Sequence, residues 1–504
     1  MRDRALAVAV TVVLTGMLSN APIALAIEPP KVDPALVPAD GTPGSEQPMR
    51  QSNVCARTIT VAEPNVGLPA PGFAMLNVSK AWQHSTGNGV AVAVIDTGVS
   101  PSRRLPVIPG GDYIMGGDGL SDCDAHGTAV ASLISAAPWG MPMPAPLPPK
   151  PAFPPPSGGA ATGTPPIPPP TGAPPTDTSV PVASSPPQPA PDGVAGVAPH
   201  ATVISIRQSS RAFEPVSPGP GDMDARRKAG TVSTLARAIV HAANLGAKVI
   251  NVSVTACVPA ADPLDQRSLG AAVWYAATVK DAVVVAAAGN EGEDGCAQNP
   301  ALAAPDSRDP RDWQHVKTVS SPSWFTDYVL SVGAVDNTGA PLNRSLAGPW
   351  VAAAAPGVGI MGLSPQGVPA NAYPPVRPGD KEIPFWGTSF SAAYVSGVAA
   401  LVRAKYPQLT AHQVINRILQ TAHNPARGVD NQVGYGVVDP VAALTFDVPA
   451  GDRTAADAQT RIVAPPPAPQ PPDHRARTVA LGFAGAVAAA VLLAMLISRA
   501  RRAR

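Results

Sequence analysis

The sequence predicts an α/β fold in which a largely parallel sheet is flanked by helices. Apolar runs of strand length recur along the chain, the first of them at Val90 to Ile95. Most of these runs are apolar at every position, which is typical of parallel strands buried on both faces. Stretches with helical spacing alternate with the runs, as βαβ units require. We expect one large domain at residues 73–447.

The predicted elements follow one another in a regular order. They are a strand at 90–95, a helix that begins at His126 and stops at Ala137, a strand at 202–207, a helix at 231–245, a strand at 248–254, a helix at 266–280, strands at 282–288 and 328–335, a helix that begins near Ser389, and a helix at 410–422.

Bulk composition limits both the number of domains and the partners. The chain has 504 residues and 64 clustered prolines, so much of it cannot pack into a core. The formal net charge is +1 and only 14% of residues are charged. This balance gives no basis for attraction to a polyanion, so we expect no nucleic-acid partner.

Two proline-rich stretches interrupt the folded part. Residues 27–72 have no sustained period and predict an extended N-terminal arm. In residues 138–191, 22 of 54 positions are proline, which predicts a disordered, polyproline-like insertion. The composition favours a passive loop, and the alternative is that its Pro-x-x-Pro pieces bind a partner.

Both termini carry export and membrane signals. Residues 1–26 have a basic start, an apolar run and an Ala-x-Ala end, which predict a cleaved signal peptide, with an uncleaved anchor as the alternative. Residues 448–478 predict a proline-rich linker. The uncharged run 479–497 is long enough for a C-terminal transmembrane helix, and the basic tail 498–504 places the C-terminus in the cytoplasm. We therefore expect a single-pass protein of the cell membrane whose domain lies outside.

Four cysteines in an exported chain predict two disulfides. They are Cys55, Cys123, Cys257 and Cys296. Four cysteines allow three pairings, and the sequence alone does not choose among them.

Four polar residues fall at strand ends or helix starts, where an open parallel sheet places its site. Asp96 ends the first strand, His126 and Ser389 each begin a helix, and Asn290 follows the strand at 282–288. A serine hydroxyl needs a base and oxyanion donors to become a nucleophile. Any one of these residues is weak evidence, but their order and their small-residue surroundings together predict a serine hydrolase.

The chain resembles the subtilisin-family serine proteases. The matching stretches are Val94-Ile95-Asp96-Thr97-Gly98, His126-Gly127-Thr128, Ala287-Ala288-Gly289-Asn290 and Gly387-Thr388-Ser389. The resemblance implies a subtilisin-like fold and a serine endopeptidase with Ser389 as nucleophile, His126 as base and Asp96 as its orienting carboxylate. It also implies Asn290 as oxyanion donor, and substrate binding by Ser253, Val254, Ala288 and Gly289. Thr255 and Ala256 replace the family's usual glycines, which either narrows the pocket or reflects drift in loop packing.

The whole architecture resembles the mycosins, membrane-anchored subtilisin-like proteases of mycobacterial type VII secretion systems. This resemblance implies that the arm wraps the domain, that Cys55 pairs with Cys123, and that Cys257 pairs with Cys296. It implies protein or peptide substrates, membrane-embedded secretion-complex components as partners, and contact with the cytoplasmic membrane. The alternative is a structural subunit of that complex with dispensable proteolysis. No cofactor is expected and no metal site stands out.

Overall fold

The computed structural model describes residues 27–149, 190–217, 229–261, 265–293, 295–301, 311–426 and 428–456, together with 487, 489–491 and 493–501. The expected signal peptide at 1–26 lies outside the described residues. So do most of the proline-rich insertion and most of the proline-rich linker.

Among the described residues, seven parallel strands form the central sheet, in the order β11-β10-β8-β6-β2-β4-β3. The same part of the chain also forms four short two-stranded sheets, whose strands pair antiparallel. The strands are β1 (Met49–Gln51), β2 (Ala91–Asp96), β3 (Val107–Asp112), β4 (Thr202–Arg207), β5 (Phe213–Pro215), β6 (Val249–Val252), β7 (Ala256–Pro259), β8 (Val283–Ala287), β9 (Thr318–Ser321), β10 (Val329–Val335), β11 (Val351–Pro356), β12 (Gly362–Leu363), β13 (Pro369–Ala370), β14 (Ala372–Tyr373) and β15 (Ile383–Pro384).

Helices cover both faces of this sheet. They are α1 (Pro71–Met75), α2 (Val78–Ala81), α3 (His126–Ser135), α4 (Val232–Asn244), α5 (Arg267–Trp274), α6 (Thr388–Lys405), α7 (Ala411–Gln420) and α8 (Pro440–Thr445). Strand β2 shows how the two cores form, because Val92 and Val94 pack on the side of α3 and α6 while Ala93 and Ile95 pack on the side of α4 and α5. A strand with alternate residues in two cores must be apolar throughout, which explains the continuous run.

The α/β class and the parallel sheet are confirmed, and most expected elements appear within two residues of their predicted bounds. Strand β4 matches its prediction, and α4 begins after Thr231, whose side chain and that of Thr234 form a capping box. The predicted helix at 266–280 is shorter as an α-helix, since α5 ends at Trp274 and one π-helical turn, Tyr275–Val279, completes it. The edge strands β3 and β11 have no counterpart among the predictions.

Helix α6 runs through the centre of the domain, and every residue from Thr388 to Ala404 is buried. Small side chains make this possible. A Cβ on Gly397 would lie 2.5 Å from Cβ of Val197, so the helix approaches its neighbour more closely than any larger residue permits. The packing of α6 against β6, β8, β10 and β11 fixes its first turn at the edge of the sheet.

The N-terminal arm is bound along the domain surface. Strand β1 pairs with β5, and the Ile59 backbone exchanges hydrogen bonds with Ala372. Farther along, the Val66 carbonyl accepts a hydrogen bond from Gly193 N–H. These contacts provide hydrogen-bond partners for the backbone of a stretch whose sequence has no helix or strand pattern.

The four cysteines form two disulfides. Cys55 of the arm is bonded to Cys123, and Cys257 is bonded to Cys296. These are the pairs that the resemblance implies. The first bond joins the arm to the loop that precedes α3.

The chain divides into two compact units, residues 1–459 and 460–504. In the second unit, the described residues between 487 and 501 are helical. Among the residues that the structure describes, no helix combines the length and the hydropathy needed to cross a membrane.

The first disulfide should stabilise the folded chain. The bonded cysteines are 68 residues apart, and closing a loop of this length restricts the unfolded chain strongly. Replacing Cys55 and Cys123 together by serine should lower the free energy of unfolding by about 2 to 4 kcal/mol in urea titrations. It should also expose the arm to added protease. The matched control, Cys257→Ser with Cys296→Ser, should leave the arm protected, and an arm that stays protected in both variants would contradict the prediction.

Candidate active site

The four residues of the predicted constellation meet at the carboxyl end of the sheet. Asp96 is the last residue of β2, His126 is the first of α3, Asn290 follows β8, and Ser389 is the second residue of α6. His126, Asn290 and Ser389 line one cleft of about 920 Å³. Asp96 lies beneath it, fully buried.

A short hydrogen bond joins Asp96 to His126. The Nδ1 atom of His126 lies 2.7 Å from Oδ1 of Asp96, and the Thr97 backbone N–H donates to the same oxygen at 2.7 Å. Since a carboxylate only accepts, Nδ1 carries the proton and Nε2 is left as the basic nitrogen of the neutral ring. The imidazole also packs near Phe390, with ring centroids 5.3 Å apart.

Opposing effects act on the pKa of His126. Burial is the largest single effect and disfavours the imidazolium, but the charge of Asp96, its hydrogen bond and the charge of Asp122 together favour it, and the pKa is raised above its usual 6.5. A raised pKa makes the imidazole a stronger base and stabilises the charged form that results from proton abstraction.

Glycine is required beside His126 for close packing. A Cβ on Gly127 would lie 2.1 Å from the carbonyl oxygen of Gly98 and 3.1 Å from Cβ of Asp96. The start of α3 is therefore pressed directly against the turn that follows β2. The His-Gly-Thr sequence brings the imidazole within hydrogen-bonding reach of the carboxylate.

Ser389 lies at the buried end of the cleft and is 7% exposed. Its Oγ donates a 3.1 Å hydrogen bond to the carbonyl oxygen of Ser253. Gly387 precedes the helix at φ +133°, a conformation that side chains rarely adopt. This turn presents the hydroxyl at the start of α6 rather than inside the core.

The Asn290 amide is oriented by the residue before Ser389. Its Oδ1 accepts from the Thr388 backbone N–H at 3.0 Å and from Thr388 Oγ1 at 3.1 Å. Because both donors hold the oxygen, the Nδ2 end must face the cleft. Helix α6 therefore positions the serine and the amide together.

Sequence reasoning missed one buried carboxylate of this site, Asp122. Its Oδ1 accepts from Thr97 Oγ1 at 2.8 Å, and its Oδ2 accepts from Thr128 N–H at 2.8 Å and from Thr128 Oγ1 at 2.6 Å. Asp122 thus ties the turn after Asp96 to the first turn of α3. Asp122 could have been identified from its position, because it lies four residues before His126 in a loop that must approach the end of β2.

Burial raises the pKa of Asp122 to about 6. The three hydrogen bonds from Thr128 and Thr97 lower the pKa, and the nearby Asp96 raises it further. The raised pKa means that burial destabilises the carboxylate more than its hydrogen bonds stabilise it.

Of the four residues predicted to bind substrate, two line the cleft and two are buried. Ser253 and Val254 line the cleft, and so does Thr255. Ala288 and Gly289 are buried instead, and Gly289 N–H donates to Thr388 Oγ1 at 3.1 Å. Ala256 begins strand β7, which pairs with β9, so a strand occupies the position where the family has glycines.

The arm and an exposed hairpin complete the cleft. Ser52, Asn53 and Val54 of the arm line it, and so do Val376 and Ile383. Val54 and Val376 are 91% and 79% exposed, so the cleft has an apolar rim. Within the described part of the chain, no group of three or more His, Cys, Asp or Glu side chains is placed to hold a metal ion.

Comparison with known proteins agrees with the resemblance seen in the sequence. The model of the subtilase family matches residues 87–436. The chain is 62% identical to Mycosin-2 of Mycobacterium tuberculosis over 553 aligned positions, which cover 99% of this chain and 98% of the relative. It is 46% identical to Mycosin-5 of the same organism, with 96% and 94% covered.

Solved structures are also similar. A crystal structure of MycP1 from Mycobacterium smegmatis matches with a TM-score of 0.72 and 42% identity, covering 87% of this chain and all of that one. A chain in the structure of an intact ESX-5 inner membrane complex matches with a TM-score of 0.70 and 47% identity, covering 94% and 99%.

The buried Asp122 should make stability depend on pH. Because its pKa is raised in the folded chain, its contribution is present below the usual 3.8 and is lost as the pH rises through about 6. Asp122→Asn keeps an acceptor for Thr128 and removes the charge. Between pH 4 and pH 7, wild type should lose on the order of 2 kcal/mol of unfolding free energy that the variant retains.

Urea unfolding of both proteins at the two pH values measures this difference. Asp118→Asn, at an exposed carboxylate of the same loop, is the matched control and should follow wild type. Equal pH slopes for wild type and Asp122→Asn would show that Asp122 titrates as it does in the unfolded chain.

Proposed function

The chain belongs to the subtilase family and, within it, to the mycosins, and from this we propose that it is a serine endopeptidase of a type VII secretion system. The observation that carries the catalytic part is the 2.7 Å contact between Asp96 and His126 beside Ser389 in one cleft. A purely structural subunit needs neither this contact nor the amide of Asn290. The geometry therefore favours proteolysis over a scaffold role alone.

Ser389 acts as the nucleophile in this proposal. Its hydroxyl turns from the Ser253 carbonyl towards Nε2 of His126, which accepts the proton while Oγ attacks the peptide carbonyl. Asp96 keeps Nδ1 protonated and stabilises the imidazolium. His126 then returns the proton to the leaving amine as the peptide bond breaks. Water, deprotonated by His126, next attacks the acyl-enzyme, and Ser389 leaves as its hydroxyl is reprotonated.

Asn290 donates to the oxyanion that forms on the attacked carbonyl. Its orientation is set before the reaction by Thr388, so little reorganisation is needed when charge develops. The backbone N–H of Ser389 is the second donor in this assignment.

Substrate binding is assigned to the segment after β6. Ser253 and Val254 line the cleft next to Ser389, where an extended peptide can add to them through main-chain hydrogen bonds. Ala288 and Gly289 support the pocket from below. The apolar rim at Val54 and Val376 favours peptides with apolar side chains on that side.

We place this activity outside the cytoplasmic membrane. The apolar run 479–497 with arginines at 499, 501, 502 and 504 supports a C-terminal anchor with its end in the cytoplasm. A similar chain is part of an ESX-5 inner membrane complex, and another match is to the periplasmic assembly of that complex. Membrane-embedded secretion-complex components are therefore the proposed partners, and exported proteins the proposed substrates.

Ser389→Ala should abolish labelling by a fluorophosphonate probe, and Asn290→Ala should slow it by about 10²- to 10³-fold. The matched control is Ser391→Ala in the same helix, whose buried Oγ bonds to the Pro356 carbonyl away from the cleft. That variant should label as wild type does. Persistent labelling of Ser389→Ala would remove Ser389 from the role.

A further inference from the structure

The two ends of the Asn290 amide have different partners. Thr388 holds Oδ1 with two donors, at 3.0 and 3.1 Å. Nδ2 donates a 3.3 Å hydrogen bond to Oε2 of Glu293. A carboxylate thus takes one of the two N–H donors on the nitrogen that the proposed function assigns to the oxyanion, and lies beside the other.

Arg211 approaches the same carboxylate oxygen from the other side of the cleft. Its Nη2 lies 3.7 Å from Oε2 of Glu293. Glu293 follows β8 and Arg211 follows β4, and strands β6 and β2 lie between these two in the sheet. The ion pair therefore spans the cleft in which Ser389 lies.

Hydrogen bonds hold the backbone of Arg211 in place, whereas most of its side chain is exposed to solvent. The N–H donates to Asp124 Oδ1 at 2.7 Å, and the carbonyl accepts from Asn53 Nδ2 of the arm at 2.9 Å. The side chain itself is 76% exposed, whereas that of Glu293 is 32% exposed. The arm and the loop before α3 thus hold the Arg211 backbone at the cleft, and its guanidinium extends through solvent towards Glu293.

A carboxylate at this position opposes catalysis. An oxyanion bound at Nδ2 lies next to the negative charge of Glu293, and like charges this close repel each other even at a partly exposed site. Nor does Asn290 require Glu293 for its orientation, because Thr388 already holds its oxygen twice. The contact is therefore better explained as one that has to open.

We propose that Glu293 is a carboxylate latch on the oxyanion donor, displaced when a peptide carbonyl binds Asn290, and that Arg211 is the counter-charge that draws it away. The inference rests on the proposed function and adds a specificity step to it. A peptide gains full turnover only when its contacts with the cleft outweigh those of the latch. Small or poorly fitting substrates leave Glu293 in contact with the Asn290 amide.

Glu293→Gln tests the latch, because it keeps the size and a hydrogen-bond acceptor and removes the charge. The second-order rate of fluorophosphonate labelling, and kcat/KM for a short peptide, should rise about tenfold, a part of what one oxyanion donor contributes. Glu291→Gln, two residues away in the same turn and outside the cleft lining, should leave both rates unchanged. Thermal melting of each variant shows that the fold is retained.

Two further variants separate a latch from a general structural effect. Asn290→Ala should remove the gain, so Asn290→Ala with and without Glu293→Gln should react equally slowly. Arg211→Gln should lower the rate in wild type, where it leaves Glu293 without its counter-charge, and should have little effect once Glu293 is glutamine.

The outcomes are distinct. An unchanged or lower rate for Glu293→Gln, or a gain that persists without Asn290, overturns the latch. An equal effect of Arg211→Gln in both backgrounds overturns the role of Arg211. Wild type that never reacts with the probe at Ser389 refutes the proposed function itself.

Discussion

The packing of helix α6 into the centre of the domain is the constraint on which the site depends. Its buried length against β6, β8, β10 and β11 fixes where the first turn can lie. That turn carries Ser389, and Thr388 beside it holds the Asn290 amide. A displacement of α6 would therefore move the nucleophile and the oxyanion donor together, which explains why the helix is built from small residues that pack closely.

Three carboxylates act on the site in different ways. Asp96 orients the imidazole and raises the pKa of His126, whereas Asp122 holds the two neighbouring loops together at an electrostatic cost. Glu293 faces the amide on the cleft side. The first two are buried and act through hydrogen bonds, while Glu293 remains partly exposed and paired with an exposed arginine. The two carboxylates that position other residues are therefore buried, and the carboxylate that we propose to move is partly exposed.

The sequence predicted the parts of the fold whose pattern is local. Continuous apolar runs identified β2 and β8, and Thr231 marked the start of α4. It did not identify β3, where Pro109 and Gly110 break the strand pattern, or β11, where alanines are as compatible with a helix. The contacts of Glu293 depend on loops that meet only in three dimensions, and for Asp122 the only signal along the chain is its position four residues before His126.

A structure of the protein with a peptidyl boronic acid bound would locate the nucleophile and the oxyanion donor in one measurement. We expect a covalent bond from Ser389 Oγ to boron and a boron-bound oxygen about 2.7 to 3.1 Å from Nδ2 of Asn290. Glu293 should have left that amide. Boron bonded to another nucleophile, or its oxygens turned away from Asn290, would contradict the assignment of this cleft as the active site.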